Sequence, residues 1–152
     1  MPATPLPVDP LDDLPEAVRE AEAAVAELTE SFRAWAGDSL VEARRELARA
    51  RAEPAGGPAA ARAIFDIAHN LKGQGGSFRY DLVSEIAAGL CDYVTDARGP
   101  LAPVALDVVE IHLAAIGFVL ERRIEGAGGE MQVLLLGKLR QLVAVAGPPG
   151  AG

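Results

Sequence analysis

His69, Lys72 and Gly73 lie three and four residues apart in the segment Arg62-Ala-Ile-Phe-Asp-Ile-Ala-His-Asn-Leu-Lys-Gly-Gln-Gly-Gly-Ser-Phe-Arg-Tyr-Asp-Leu82. On a helix this spacing puts all three on one face, because residues i, i+3 and i+4 are surface neighbours. Ile64, Ile67 and Leu71 share the opposite face and must point to a core. His69 is therefore expected to face solvent, with Arg62, Phe65 and Asp66 one or two turns before it. An exposed neutral imidazole is a competent nucleophile toward phosphorus. Lysine one turn away places a positive charge where phosphoryl oxygens would lie. Gly73 leaves a bare patch for the close approach of a second protein, and Phe65 offers that protein an apolar contact. Nothing in the segment binds ATP or activates water, so the phosphoryl donor must come from outside.

Other candidates carry less. The Gly73-Gln-Gly-Gly76 run has no preceding strand, and its lysine stands before rather than after the glycines, which is wrong for a phosphate-binding loop. His112 falls among Val108, Val109, Ala115 and Ile116 and is expected to be a hydrogen-bonded histidine at a core edge. A metal site pairing it with His69 has no supporting cysteine or acidic spacing. Cys91 lies on an apolar helix and reads as a buried structural thiol. With one cysteine there is no internal disulfide framework.

The elements that must position His69 can be read from helical periodicity. Pro2, Pro5, Pro7 and Pro10 make residues 1–10 an extended, flexible arm. Asp13 and Glu16 have capping-box spacing, and Val25, Leu28, Phe32 and Trp35 form an apolar stripe through about residue 35. Gly37-Asp38-Ser39 is expected to break that helix, with Ser39 and Glu42 capping a second one that carries Leu40, Ala43 and Leu47. Pro54–Pro58 is the clearest loop. A third helix follows from Pro58 to about Gly75, then a fourth over 80–96 with Leu82, Val83, Ile86, Leu90 and Val94. A fifth is expected over about 102–125, stopped by Gly126, Gly128 and Gly129, and a last over 130–145. The tail, 147–152, is disordered by composition. Short connections between helices of this length favour antiparallel neighbours, hence a single helical domain over residues 11–146.

Composition agrees with that reading and narrows the partners. Of 152 residues, half are apolar and 5% aromatic, and 22 acidic against 14 basic side chains leave a net charge of −8. One core-forming domain fits this length. A pI near 4.7 without a basic stripe argues against nucleic acid, which needs clustered Lys and Arg. The apolar stretch Leu101–Leu120 is interrupted by Asp107, Glu110 and His112, so it reads as a core-facing helix rather than a membrane span. With no basic leader either, a soluble cytoplasmic protein is expected.

Ala68-His69-Asn-Leu71-Lys72-Gly73, then Gly76 and an amphipathic helix opening near Leu82, resembles the histidine-containing phosphotransfer (HPt) domain of bacterial phosphorelays. The close match covers residues 61–95, and the bundle is compatible with residues 20–125. The resemblance implies an all-α, up-and-down four-helix bundle with extra terminal helices and one phosphorylatable histidine, His69. It implies a phosphocarrier rather than a kinase. The phosphoryl group would come from, and pass to, receiver-domain aspartates of response regulators or a hybrid histidine kinase. No cofactor or metal would be held in this chain, since Mg²⁺ sits in the receiver. Lys72 would stabilise the phosphoryl group and Gly73 admit the partner, while Arg62, Phe65, Asp66, Gly76 and Arg79 would form the contact surface.

Two features depart from the family pattern. Arg79 stands where the family usually has glycine, ten residues after the histidine, which leaves a docking module without phosphotransfer as the alternative. The helix at 130–145 lies outside the usual bundle, and its Met131–Leu142 stripe reads as core before dimer contact, so a monomer is expected over a homodimer. A dimeric phosphotransferase with an ATP-binding fold would need a longer chain.

Overall fold

The computed structural model describes residues 14–95, 97 and 99–150. Five helices order these residues: α1 (Leu14–Ala52), α2 (Gly57–Ser77), α3 (Asp81–Thr95), α4 (Pro103–Glu121) and α5 (Glu130–Ala146), with one 3-10 turn at Pro54–Gly56. There is no strand among the described residues, only an isolated bridge between Leu101 and Gly150. The Pro-rich arm and the Asp13 half of the capping box lie outside the described residues.

The helices α1 to α4 run up and down. Side-chain bonds show the direction: Ser84 reaches the Lys72 carbonyl and Cys91 Sγ faces that of Phe65, so α2 and α3 are antiparallel. Arg33 and Arg51 do the same for α1 and α4. The Arg33 guanidinium donates to the Leu120 carbonyl at 3.1 and 2.8 Å, while Arg51 bonds Asp107 at 2.9 Å and Glu110 at 2.8 Å. Arg33 thus meets a carbonyl at the negative end of the α4 dipole, where a cation is favoured. One continuous core fills the bundle, from Phe32, Leu40 and Leu47 on α1 through Ile64 and Leu71 on α2, Leu82, Ile86 and Leu90 on α3, and Val108 and Ile116 on α4.

Helix α1 corrects two expectations. It does not break at Gly37-Asp38-Ser39. Ser39 Oγ donates back to the Trp35 carbonyl at 3.0 Å instead of capping a new helix. The buried series Phe32, Ala36, Leu40, Ala43, Leu47 and Ala50 runs through the glycine at unbroken helical spacing. Tertiary burial on this scale outweighs the ~1 kcal/mol that glycine costs a helix. The apolar stripe is also displaced. Phe32 is buried, but Val25 is 41% and Leu28 57% exposed, because the first four turns of α1 bury no residue and only border an open groove with Arg79 and Arg123.

Helix ends also differ from expectation. Helix α4 stops at Glu121, before the glycines, in a Schellman motif: Ile124 N–H donates to the Val119 carbonyl at 3.0 Å, and Arg123 takes the left-handed position with φ 53°. Gly126, Gly128 and Gly129 only turn the following loop. Of the tail at 147–152, residues 147–150 are described and 151–152 lie outside the described residues. The Pro149 carbonyl accepts from Ala102 N–H at 3.0 Å, and Pro149 is buried against the α3–α4 connection. By length and apolar content α4 could cross a membrane, yet ten of its residues, including His112, are buried in the protein core. Helix α5 buries only Leu139 fully and lies against α3 and α4 as an appendage.

Candidate phosphotransfer site on helix α2

Ile64, Ala68 and Leu71 are fully buried, which fixes the rotation of α2 about its axis. The opposite face then carries Arg62, Asp66, His69, Lys72, Gly73 and Gly76, all exposed. Phe65 differs from the expectation of an exposed contact. It is half-buried against the core, and its ring stacks on the His69 imidazole with centroids 5.9 Å apart and planes 12° from parallel. It therefore braces one side of the imidazole and leaves the outer edge open. Ser84 donates to the Lys72 carbonyl and ties this turn of α2 to α3. Burial holds the Cys91 thiol up, so it stays neutral beside the Phe65 carbonyl.

The glycines divide by purpose. A Cβ at Gly75 would stand 3.0 Å from the Tyr80 carbonyl oxygen and 3.1 Å from Ser84 N, so this residue is required by the close approach of α3. A Cβ at Gly73 meets nothing within 4 Å, and one at Gly76 meets only Asp81 Oδ1 at 3.9 Å. No internal contact asks for glycine at either position. Nor is Gly73 a fraying end, since α2 continues through Ser77.

Arg79 does not share this face. It lies past the end of α2, exposed, in a groove bordered by Val25, Glu30 and Arg123. Its backbone has φ 66°, and Tyr80 N–H bonds the Gly75 carbonyl at 2.8 Å, the closing bond of a second Schellman motif. The position favours glycine, and arginine adopts it at a cost of about 1 kcal/mol. Arg79→Gly should raise stability by about that amount, with a Tm higher by roughly 3 °C in a thermal melt. An unchanged or lower Tm would mean the side chain holds the joint.

The second histidine is not part of this site. His112 is 2% exposed, and its Nδ1–H donates to the Val108 carbonyl at 2.8 Å within α4. Among the described residues, Arg62 and Lys72 make no ion pair, so the face around His69 keeps free positive charge on an acidic protein.

The family model of the Hpt domain matches residues 11–119. The chain belongs to the HPt domain family. No curated protein and no solved structure gives a significant match. HPt domains are phosphocarriers without kinase activity that work with the receiver domains of response regulators, so this HPt domain has a general role in phosphorelay histidine phosphotransfer. The match ends before α5.

Proposed function

We propose that His69 is the phosphoacceptor of this HPt domain, taking a phosphoryl group from an aspartyl phosphate of one receiver and passing it to another. The supporting observation is the exposed imidazole braced by Phe65 beside two glycines that nothing inside the protein requires. In the forward step the imidazole lone pair forms an N–P bond as the acyl-phosphate P–O bond breaks, and the aspartate leaves as a carboxylate. Lys72 follows the phosphoryl oxygens with its ammonium group, and Arg62 draws the acidic receiver to this face. The chain holds no cofactor in this reading, Mg²⁺ belongs to the receiver, and the transfer takes place in the cytoplasm, with the protein acting as a monomer. Arg79, the residue that favoured docking alone, keeps the left-handed backbone that glycine would supply.

Incubation with a radiolabelled phosphorylated receiver and Mg²⁺ tests the proposal. Label should move to this protein as an acid-labile, base-stable phosphate. A complex with no label transferred would favour the docking module.

Gly73 separates stability from transfer. Gly73→Ala should stabilise the helix by up to ~1 kcal/mol, since the methyl group meets nothing. The same methyl would stand beside the imidazole and cost docking about tenfold, equal to ~1.4 kcal/mol. A higher Tm with unimpaired transfer would show that partners do not use this patch.

A further inference from the structure

A groove of about 510 Å³ lies between α3 and α5, with α4 as its floor. Its walls are aliphatic, from Ile86, Leu136, Leu139 and Val143, and His112 lies in the floor. This space exists because α5 covers α3 and α4 incompletely.

His112 presents an unused acceptor to it. Nδ1 carries the proton donated to the Val108 carbonyl, which leaves Nε2 a lone pair. Nothing among the described residues donates to Nε2. It faces Gly89, where a Cβ would stand only 3.9 Å away, and Gly89 itself is exposed. The missing side chain uncovers the ring edge. Nε2 is reachable from the groove, so a ligand's donor can bond it there in place of water. Burial also lowers the basicity of His112, which keeps the imidazole neutral and Nε2 an acceptor.

The rim selects further. Glu85 and Asp92 are exposed carboxylates at the opening, which disfavours an anionic ligand. Arg140 has no ion pair among the described residues and can stack its guanidinium on a ring. We propose that the α3–α5 groove binds an uncharged, flat aromatic molecule with one N–H or O–H donor, of indole or phenol type, with that donor on His112 Nε2. The site is separate from His69 and does not depend on the phosphocarrier reading.

Amide correlation NMR of the full chain tests this with indole and its isostere benzofuran, which lacks the donor. Indole should shift Gly89, Leu136 and Leu139 and bind about five- to tenfold more tightly than benzofuran, the worth of one hydrogen bond. His112→Leu should retain binding of both but equalise their affinities. Gly89→Leu, which fills the opening from the solvent side, should block both. Equal affinity of the native protein for the two probes, or no shifts at these residues up to the solubility limit of indole, overturns the proposal.

Discussion

His69→Gln should abolish phosphoryl acceptance while leaving the fold intact. Glutamine keeps a polar side chain of similar length but has no nitrogen lone pair able to attack phosphorus. The site is exposed, and its main internal contact is the Phe65 ring at 5.9 Å, so the change in stability should stay within about 0.5 kcal/mol. The check is label transfer from a phosphorylated receiver alongside a thermal melt. Loss of label with an unchanged Tm is the expected pair of results. His112 remains in the variant as an internal control, buried at 2% exposure and bonded within its own helix, where a receiver cannot reach it. Residual transfer above about a hundredth of the native rate would place the acceptor elsewhere, since losing a nucleophile costs far more than that.

Phe32→Ala should have the largest effect on stability. Phe32 is buried, stacks on Phe78 at 5.2 Å, and meets Tyr80 at 5.6 Å and Trp35 at 5.8 Å. Removing it leaves a cavity where α1 holds the α2–α3 joint, at a cost of about 3–5 kcal/mol. That is a large part of the ~5–15 kcal/mol by which domains of this size are stable. A Tm lower by roughly 10–15 °C follows. Val25→Ala, one of the exposed apolar residues two turns earlier, should change Tm by less than about 2 °C. Equal losses for the two variants would mean that the N-terminal turns of α1 are covered by something absent from this structure.

These two residues also show what the sequence could and could not reveal. His69 was legible because its phase relative to Ile64, Ile67 and Leu71 is a local property of one helix, and the structure keeps that phase. The same holds for α3, whose Leu82, Val83, Ile86, Leu90 and Val94 are all buried. Phe32 was found, but as part of a stripe with Val25 and Leu28 that is exposed. Periodicity says which residues share a face, and it does not say how far a neighbouring helix extends to cover it. The break expected at Gly37 failed for a related reason, since burial of Ala36 and Leu40 on both sides carries the helix through. Helix ends were misread because Arg79 and Arg123 occupy left-handed positions that composition assigns to glycine. Pro149 stands in the Pro- and Gly-rich tail, and its pairing with Ala102 is a contact across 47 residues that no local pattern announces. The role of Phe65 as a brace rather than an exposed contact likewise depends on α3 packing beside it.

Of the two imidazoles, that of His69 alone is proposed to carry the phosphoryl group. Peptide mapping by tandem mass spectrometry, kept at alkaline pH after phosphorylation by a receiver, tests it most directly. A single phosphate is expected on the peptide containing His69 and none on the peptide containing His112. Phosphate on any other residue, or a protein that binds the phosphorylated receiver and stays unmodified, would contradict it.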